Sequence, residues 1–138
     1  MTSDLLNPHT ALIYTMVLMS AADSDMTDSE LQRIGHMTRT LPVFDGFDPD
    51  DLVPTAEECA RRLGSAGGLE AVLDVITASL PVKLSDTAYA IACEVAAADL
   101  HVKQEEIRLL EMLRHRFEID RLVAAGIERG VRARHTTL

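Results

Sequence analysis

The stretch AADSDMTDSEL at residues 21–31 decides the fold, because the chain repeats its pattern as AADLHVKQEEI at residues 97–107. The two copies align without a gap. In both, small alanines precede an aspartate, one apolar residue (Met26 or Val102) follows, and acidic residues open the next helical pattern, where they complement the helix dipole. The sequence therefore predicts an internal duplication of one helix–loop–helix unit. A short connection makes the two helices of each unit antiparallel neighbours.

The rest of the chain also has helical periodicity, and no segment alternates long enough to predict a strand. Two capping boxes, Thr27–Glu30 and Thr55–Glu58, predict helix starts. Ser85 is predicted to cap the fifth helix, and the first helix, apolar over most of its surface, is predicted to be central. We predict about seven helices, near residues 8–22, 27 onward, 55–63, 69–80, 85–98, 103–116 and 120–132.

Composition and charge limit the function. A chain of 138 residues corresponds to one domain, and its aromatic content of 4% predicts an aliphatic core suited to packed helices. The net charge of −9 argues against nucleic-acid and anionic-membrane binding but permits a cation or a basic partner. The apolar run 11–22 is too short to cross a bilayer, and residues 1–4 lack the basic start of a signal peptide. We therefore predict a cytoplasmic protein.

Neither catalysis nor a disulfide is predicted. Cys59 and Cys93 form no CxxC pair, and each lies in an apolar helical pattern, so we expect two reduced, buried thiols. Acidic neighbours such as Glu58 and Glu94 would raise the thiol pKa and disfavour a nucleophile. No motif of a hydrolase, a phosphate-binding loop or a zinc peptidase is present, so we predict that the protein is not an enzyme.

The duplicated alanine–aspartate pattern in a small helical domain resembles the TerB-like tellurite-resistance family, most strongly over residues 94–110. The resemblance covers nearly the whole chain. It implies an all-α TerB-like bundle and a non-enzymatic role in stress response. The family also includes a domain of a DnaJ-type co-chaperone, which implies the alternative of a purely structural protein–protein interaction domain. Ser24 and Leu100 stand where the family usually has glycine, so the second connection in particular is predicted to differ in shape.

The acidic connections are the candidate cation site. Carboxylate oxygens at this density suit Ca²⁺, Mg²⁺ or Mn²⁺, and the resemblance implies that divalent cations are the ligand. The alternative is that the acids only cap helices, since Asp28 and Glu30 fall in a first helical turn. His101 is either a further ligand or a solvated loop residue. The candidate metal ligands are Asp23, Asp25, Glu30, Asp99 and Glu106.

The C-terminal segment is basic. Four arginines, Arg121, Arg129, Arg132 and Arg134, surround a single Glu128. One interpretation is complementation of a helix dipole. The other is a docking surface for an acidic partner or for the acidic loops of a second copy. We expect protein partners, leave a homo-oligomer open, and predict neither nucleic-acid binding nor membrane insertion.

Overall fold

Seven α-helices build the structure, a computed structural model that describes residues 5–21, 26–97 and 103–138. Three single-turn 3₁₀ helices, Pro42–Phe44, Pro49–Asp51 and Val82–Leu84, lie in the connections. No β-strand occurs within these ranges, which confirms the predicted all-α class. The helices are α1 (Pro8–Ser20), α2 (Asp28–Thr40), α3 (Leu52–Leu63), α4 (Gly68–Ser79), α5 (Ser85–Ala97), α6 (Gln104–Arg116) and α7 (Arg121–Arg134).

Helix α1 is the centre of the bundle, as predicted. Every residue from Ala11 to Ser20 is buried, because neighbouring helices cover α1 on all sides. Asn7 caps its start by accepting a hydrogen bond from the backbone amide of Thr10. No described helix is both long and apolar enough to cross a bilayer.

The remaining helices are arranged around α1 in a defined order. Helix α1 packs most extensively against α3 and α5, and α5 packs most extensively against α1 and α7. The sequence of layers is therefore α7–α5–α1–α3. Helix α4 packs on α3 and α1, while α6 packs on α5. Helices α5 and α1 consequently separate α3 from α7.

Two of the predicted helix starts are wrong. Helix α3 begins at Leu52, three residues before the predicted cap Thr55, which lies inside the helix. Pro54 is tolerated in this first turn because the first amides of a helix have no acceptor within it. Ser85 does not precede α5 as a cap but is its first residue, continuing directly from the 3₁₀ turn Val82–Leu84.

Candidate functional site

Glu30 is held at the start of α2 by the predicted capping box. The backbone amide of Thr27 donates to Glu30 Oε1 at 2.9 Å, and the Thr27 hydroxyl donates to the same oxygen at 3.0 Å. In return, the Glu30 amide donates to Thr27 Oγ1 at 3.2 Å. The carboxylate is therefore fixed at the start of α2, and all of these bonds to it end on one oxygen.

Glu106 has the corresponding position at the start of α6. Its Oε1 accepts a hydrogen bond from the backbone amide of Lys103 at 2.9 Å, and the residue is buried. Each predicted repeat thus begins its second helix with a glutamate bonded to the amide three residues earlier. The duplication itself remains a prediction from the sequence.

The predicted metal ligands divide into two groups. Glu30 and Glu106 are described and have capping roles, whereas Asp23, Asp25, Asp99 and the further candidate His101 lie outside the described residues. Within the described ranges, no three acidic, histidine or cysteine side chains are grouped so that they could hold a metal ion. The set of five ligands therefore stays a prediction.

An apolar groove of about 410 Å³ opens between the ends of α1 and α3, the start of α4 and one face of α6. Ala21 and Gln104 both line this groove. Ala21 is the last described residue before residues 22–25, and only Lys103 separates Gln104 from residues 98–102 in the sequence. The groove therefore adjoins the points where both acidic connections attach. Its apolar lining consists of Leu18, Ala21, Leu63, Leu69, Leu109 and Met112, and Gln104, Glu105 and Arg108 line the remainder.

Salt bridges join α6 to α4 on the same side of the bundle. The Arg116 guanidinium donates to Glu70 Oε2 at 2.5 Å and also to Asp74 Oδ1. These bonds raise the pKa of Arg116 above its already high usual value. Sequence reasoning missed both the groove and this pairing, because α4 and α6 are far apart in the chain and neither has a recognisable motif.

Both thiols are reduced and buried, as predicted. The pKa of each is raised to about 12, primarily by burial. Glu58 and Glu94 also raise the thiol pKa values, as predicted, although Arg62 opposes Glu58 at Cys59. A thiol with so high a pKa is almost entirely protonated at neutral pH and is a poor nucleophile.

Tyr89 and Glu128 join α5 to α7. The Tyr89 hydroxyl donates to Glu128 Oε2 at 2.5 Å, and the pKa of Tyr89 is raised by burial and by this bond. At the C-terminal end of α7, Glu94 Oε2 lies 2.8 Å from His135 Nε2, and Glu94 Oε1 accepts from Arg134. The basic segment is thus attached to α5 at the middle and at the C-terminal end of α7.

Comparison with known proteins identifies the family of the chain. It matches the family model of the tellurite resistance protein TerB over residues 9–128. This range includes all of the helices except the end of α7 and the first residue of α1. Neither curated proteins nor solved structures give a match.

Proposed function

Because the chain belongs to the family of tellurite resistance protein TerB, we propose that it is a non-enzymatic binding module in stress response. Its partner would be a protein that inserts apolar side chains into the groove between α1, α4 and α6. A divalent cation (Ca²⁺, Mg²⁺ or Mn²⁺), bound by the acidic connections beside the groove, would assist this binding.

The observation that carries this proposal is the groove itself. An apolar groove lined by several helices is the usual receptor for an amphipathic helix of a partner. Leu69 is a large hydrophobic residue at this groove that stays partly exposed. The partner would cover Leu69 and the side of Met112, and Arg108 and Glu105 would fix its orientation through polar contacts.

Helix capping fixes the positions of two of the proposed cation ligands. The rigidity of a site is one of the properties that set its affinity for Ca²⁺. Glu30 and Glu106 are held in place by hydrogen bonds to the amides of Thr27 and Lys103. Asp23, Asp25 and Asp99 would supply the further ligands.

Site-specific photo-crosslinking in cells tests the partner. A photoreactive residue at position 69 is expected to give a discrete adduct, and one at position 82 is the control, because Val82 is even more exposed but lies outside the groove. The adduct should disappear when Met112→Glu places a charge in the groove. Equal adducts from both positions, or none from position 69, would refute the groove as the contact surface.

Calorimetric titration of the metal-free protein with Ca²⁺, Mg²⁺ and Mn²⁺ tests the cation. Saturable heat that is lost in a Glu30→Gln, Asp23→Asn variant would support the proposed ligands. Glu111→Gln, Asp86→Asn is the matched control, since both residues lie on other helices. Heat that persists in the first variant would assign these acids to helix capping alone.

The alternative is a structural interaction domain without any ligand, like the co-chaperone domain that the sequence resembles. It would show the crosslink at position 69 and no metal-binding heat. Deleting the gene addresses the role in stress response: sensitivity to tellurite should increase, and the wild-type chain should reverse it. Unchanged sensitivity would separate this chain from the resistance that gives its family a name.

A further inference from the structure

Helix α7 has an outward face that nothing in the described molecule covers. Its buried residues Ala124 and Val131 face α5, so residues half a turn away point to solvent. Solvent-facing positions of a surface helix are usually charged or polar. Here they include Leu122, which is 81% exposed, and the small residues Gly126 and Ala133.

The two glycines of α7 are not explained by the fold of a single chain. A Cβ atom at Gly126 or at Gly130 would meet no atom within 4 Å. Glycine inside a helix costs about 1 kcal/mol relative to alanine. Because both residues are exposed, their small size would instead let another helix approach the backbone of α7 closely.

Three arginines lie on this face or beside it. Arg121, Arg129 and Arg132 are exposed and form no ion pair with any residue that the structure describes. Arg134, in contrast, is paired with Glu94. We call the exposed residues Leu122, Gly126, Arg129, Gly130, Arg132 and Ala133, with Arg121, the basic edge.

The edge of the molecule at α3 is acidic. Residues 45–60 contain no lysine or arginine, and their aspartates are all exposed. Helix α3 adds Glu57 and Val53 to this surface, and Val53 is 46% exposed. We call the exposed residues Asp45, Asp48, Asp50, Asp51, Val53 and Glu57 the acidic edge.

We propose that the basic edge of one chain binds the acidic edge of a second copy, head to tail. Helices α5 and α1 separate the two edges, so both can be occupied at once. Leu122 would meet the apolar surface around Val53, while Arg129 and Arg132 would pair with carboxylates. Two basic edges would repel each other, which disfavours a symmetric contact through α7.

Such a contact leaves one free edge of each kind, so it produces an open chain or a ring rather than a closed dimer. The net charge of −9 on each copy opposes approach at long range. Salt at physiological concentration screens charges beyond about 8 Å, so that the nearby pairs dominate. The contact uses neither the groove nor the acidic connections, and it can therefore fail or hold independently of the function proposed above.

Sedimentation velocity of the full chain, from micromolar to near-millimolar concentration, tests the contact. We expect the average mass to rise above the 15.1 kDa of one chain as the concentration increases, and to fall again in high salt because the pairs are screened. A single 15.1 kDa species at every concentration would overturn the proposal.

Two edge variants test the head-to-tail geometry. Arg129→Glu with Arg132→Glu reverses two charges of the basic edge, and Asp50→Lys with Asp51→Lys reverses two charges of the acidic edge. Each variant should remain monomeric alone, but an equimolar mixture should associate, because each retains the edge that the other lacks. Association of either variant alone, or none in the mixture, would contradict a head-to-tail contact.

Two further variants serve as controls. Lys83→Glu with Arg33→Glu makes the same charge change at residues outside both edges and outside the groove, and it should self-associate as the wild type does, apart from the effect of net charge. Gly126→Ala with Gly130→Ala keeps every charge and favours the helix, so its fold is secure. It should nevertheless weaken association at least severalfold, and undiminished association would exclude close approach along α7.

Discussion

Helices α1 and α7 are almost equal in length but differ in how the bundle uses them. Neighbouring helices surround α1, and its residues from Ala11 to Ser20 are all buried. Helix α7 packs mainly on α5 and buries only Ala124 and Val131. Packing therefore explains nearly every side chain of α1, whereas most of α7 is free of any packing requirement.

This difference separates residues that the core requires from residues that the fold of a single chain does not explain. The apolar residues of α1 are required by the core, and the small polar Thr15 is accommodated there because its hydroxyl donates to the carbonyl of Ala11 at 2.9 Å. Leu122, Gly126 and Gly130 in α7 have no such internal explanation. The peripheral helix thus carries the features that suggest a partner.

The largest expected effect contrasts the same substitution in both helices. Leu12→Ala should reduce the free energy of unfolding by about 2–5 kcal/mol, because a fully buried side chain is replaced by a cavity. Leu122→Ala should change it by less than about 0.5 kcal/mol. Urea unfolding followed by circular dichroism measures both, and similar losses would show that α7 is part of the core.

The two thiols extend the comparison of α1 with α7 to the pH dependence of stability. Cys59 lies beside α1, its sulfur 3.8 Å from the Tyr14 carbonyl oxygen, while Cys93 lines a second groove, between α5, α6 and α7. Burial raises both folded-state pKa values to about 12, so the stabilisation is complete below the unfolded value near 9 and is lost as the pH rises towards 12. Between pH 9 and pH 10, each thiol should therefore lower the free energy of unfolding by about 1 kcal/mol.

Urea unfolding at a series of pH values measures this loss. Cys59→Ala and Cys93→Ala should each reduce the slope above pH 9 by about half relative to wild type. In native protein, Cys93 should react with a thiol reagent faster than Cys59, because local opening of α7 needs less energy than global unfolding. Equal reaction rates would show that α7 opens only with the whole domain.

Replacing both α7 glycines should stabilise the monomer. Gly126→Ala with Gly130→Ala is expected to raise the free energy of unfolding by about 1–2 kcal/mol, because alanine favours the helix and each Cβ enters open space. Thermal unfolding at low concentration measures the gain. Gly67→Ala is the contrasting variant and should destabilise, because Gly67 has a φ of 69°. No gain from the α7 pair would indicate an internal contact of those residues.

The smallest expected effect concerns the attachment of α7. Glu94→Gln removes the charge that pairs with Arg134 and His135, and the cost should be at most about 1 kcal/mol because Arg134 is largely exposed. Amide hydrogen exchange should show faster opening of the last turn of α7, with α1 unchanged. Glu111→Gln is the control, since Glu111 is exposed, and an equal effect there would argue against a specific attachment.

Part of the fold could be predicted because it depends on local chemistry. The capping box at Thr27 and Glu30 involves four consecutive residues, so its geometry follows from the sequence alone. The central position of α1 follows from a helix that is apolar over most of its surface. The errors at Thr55 and Ser85 arose because preceding 3₁₀ turns extend those helices backwards, which a capping motif does not reveal.

The candidate sites also divide into features that the sequence reveals and features that only the tertiary structure forms. The acidic connections and the basic C-terminal segment are visible as runs of charge, because neighbours in sequence share a surface. The groove was invisible, since Leu63, Leu69 and Met112 come from three separate helices and each looks like an ordinary core residue. Only their incomplete coverage in the bundle distinguishes them from the residues that fill α1.

The sequence by itself determined the helical class, the capping at Thr27, the buried thiols and the opposite charges of two segments, because each depends on residues close together in the chain. The tertiary structure alone decided that α5 and α1 separate α3 from α7 and that α1, α4 and α6 enclose a groove. Packing between helices that are far apart in the chain sets these relations, because the apolar faces of all the helices must be buried at the same time.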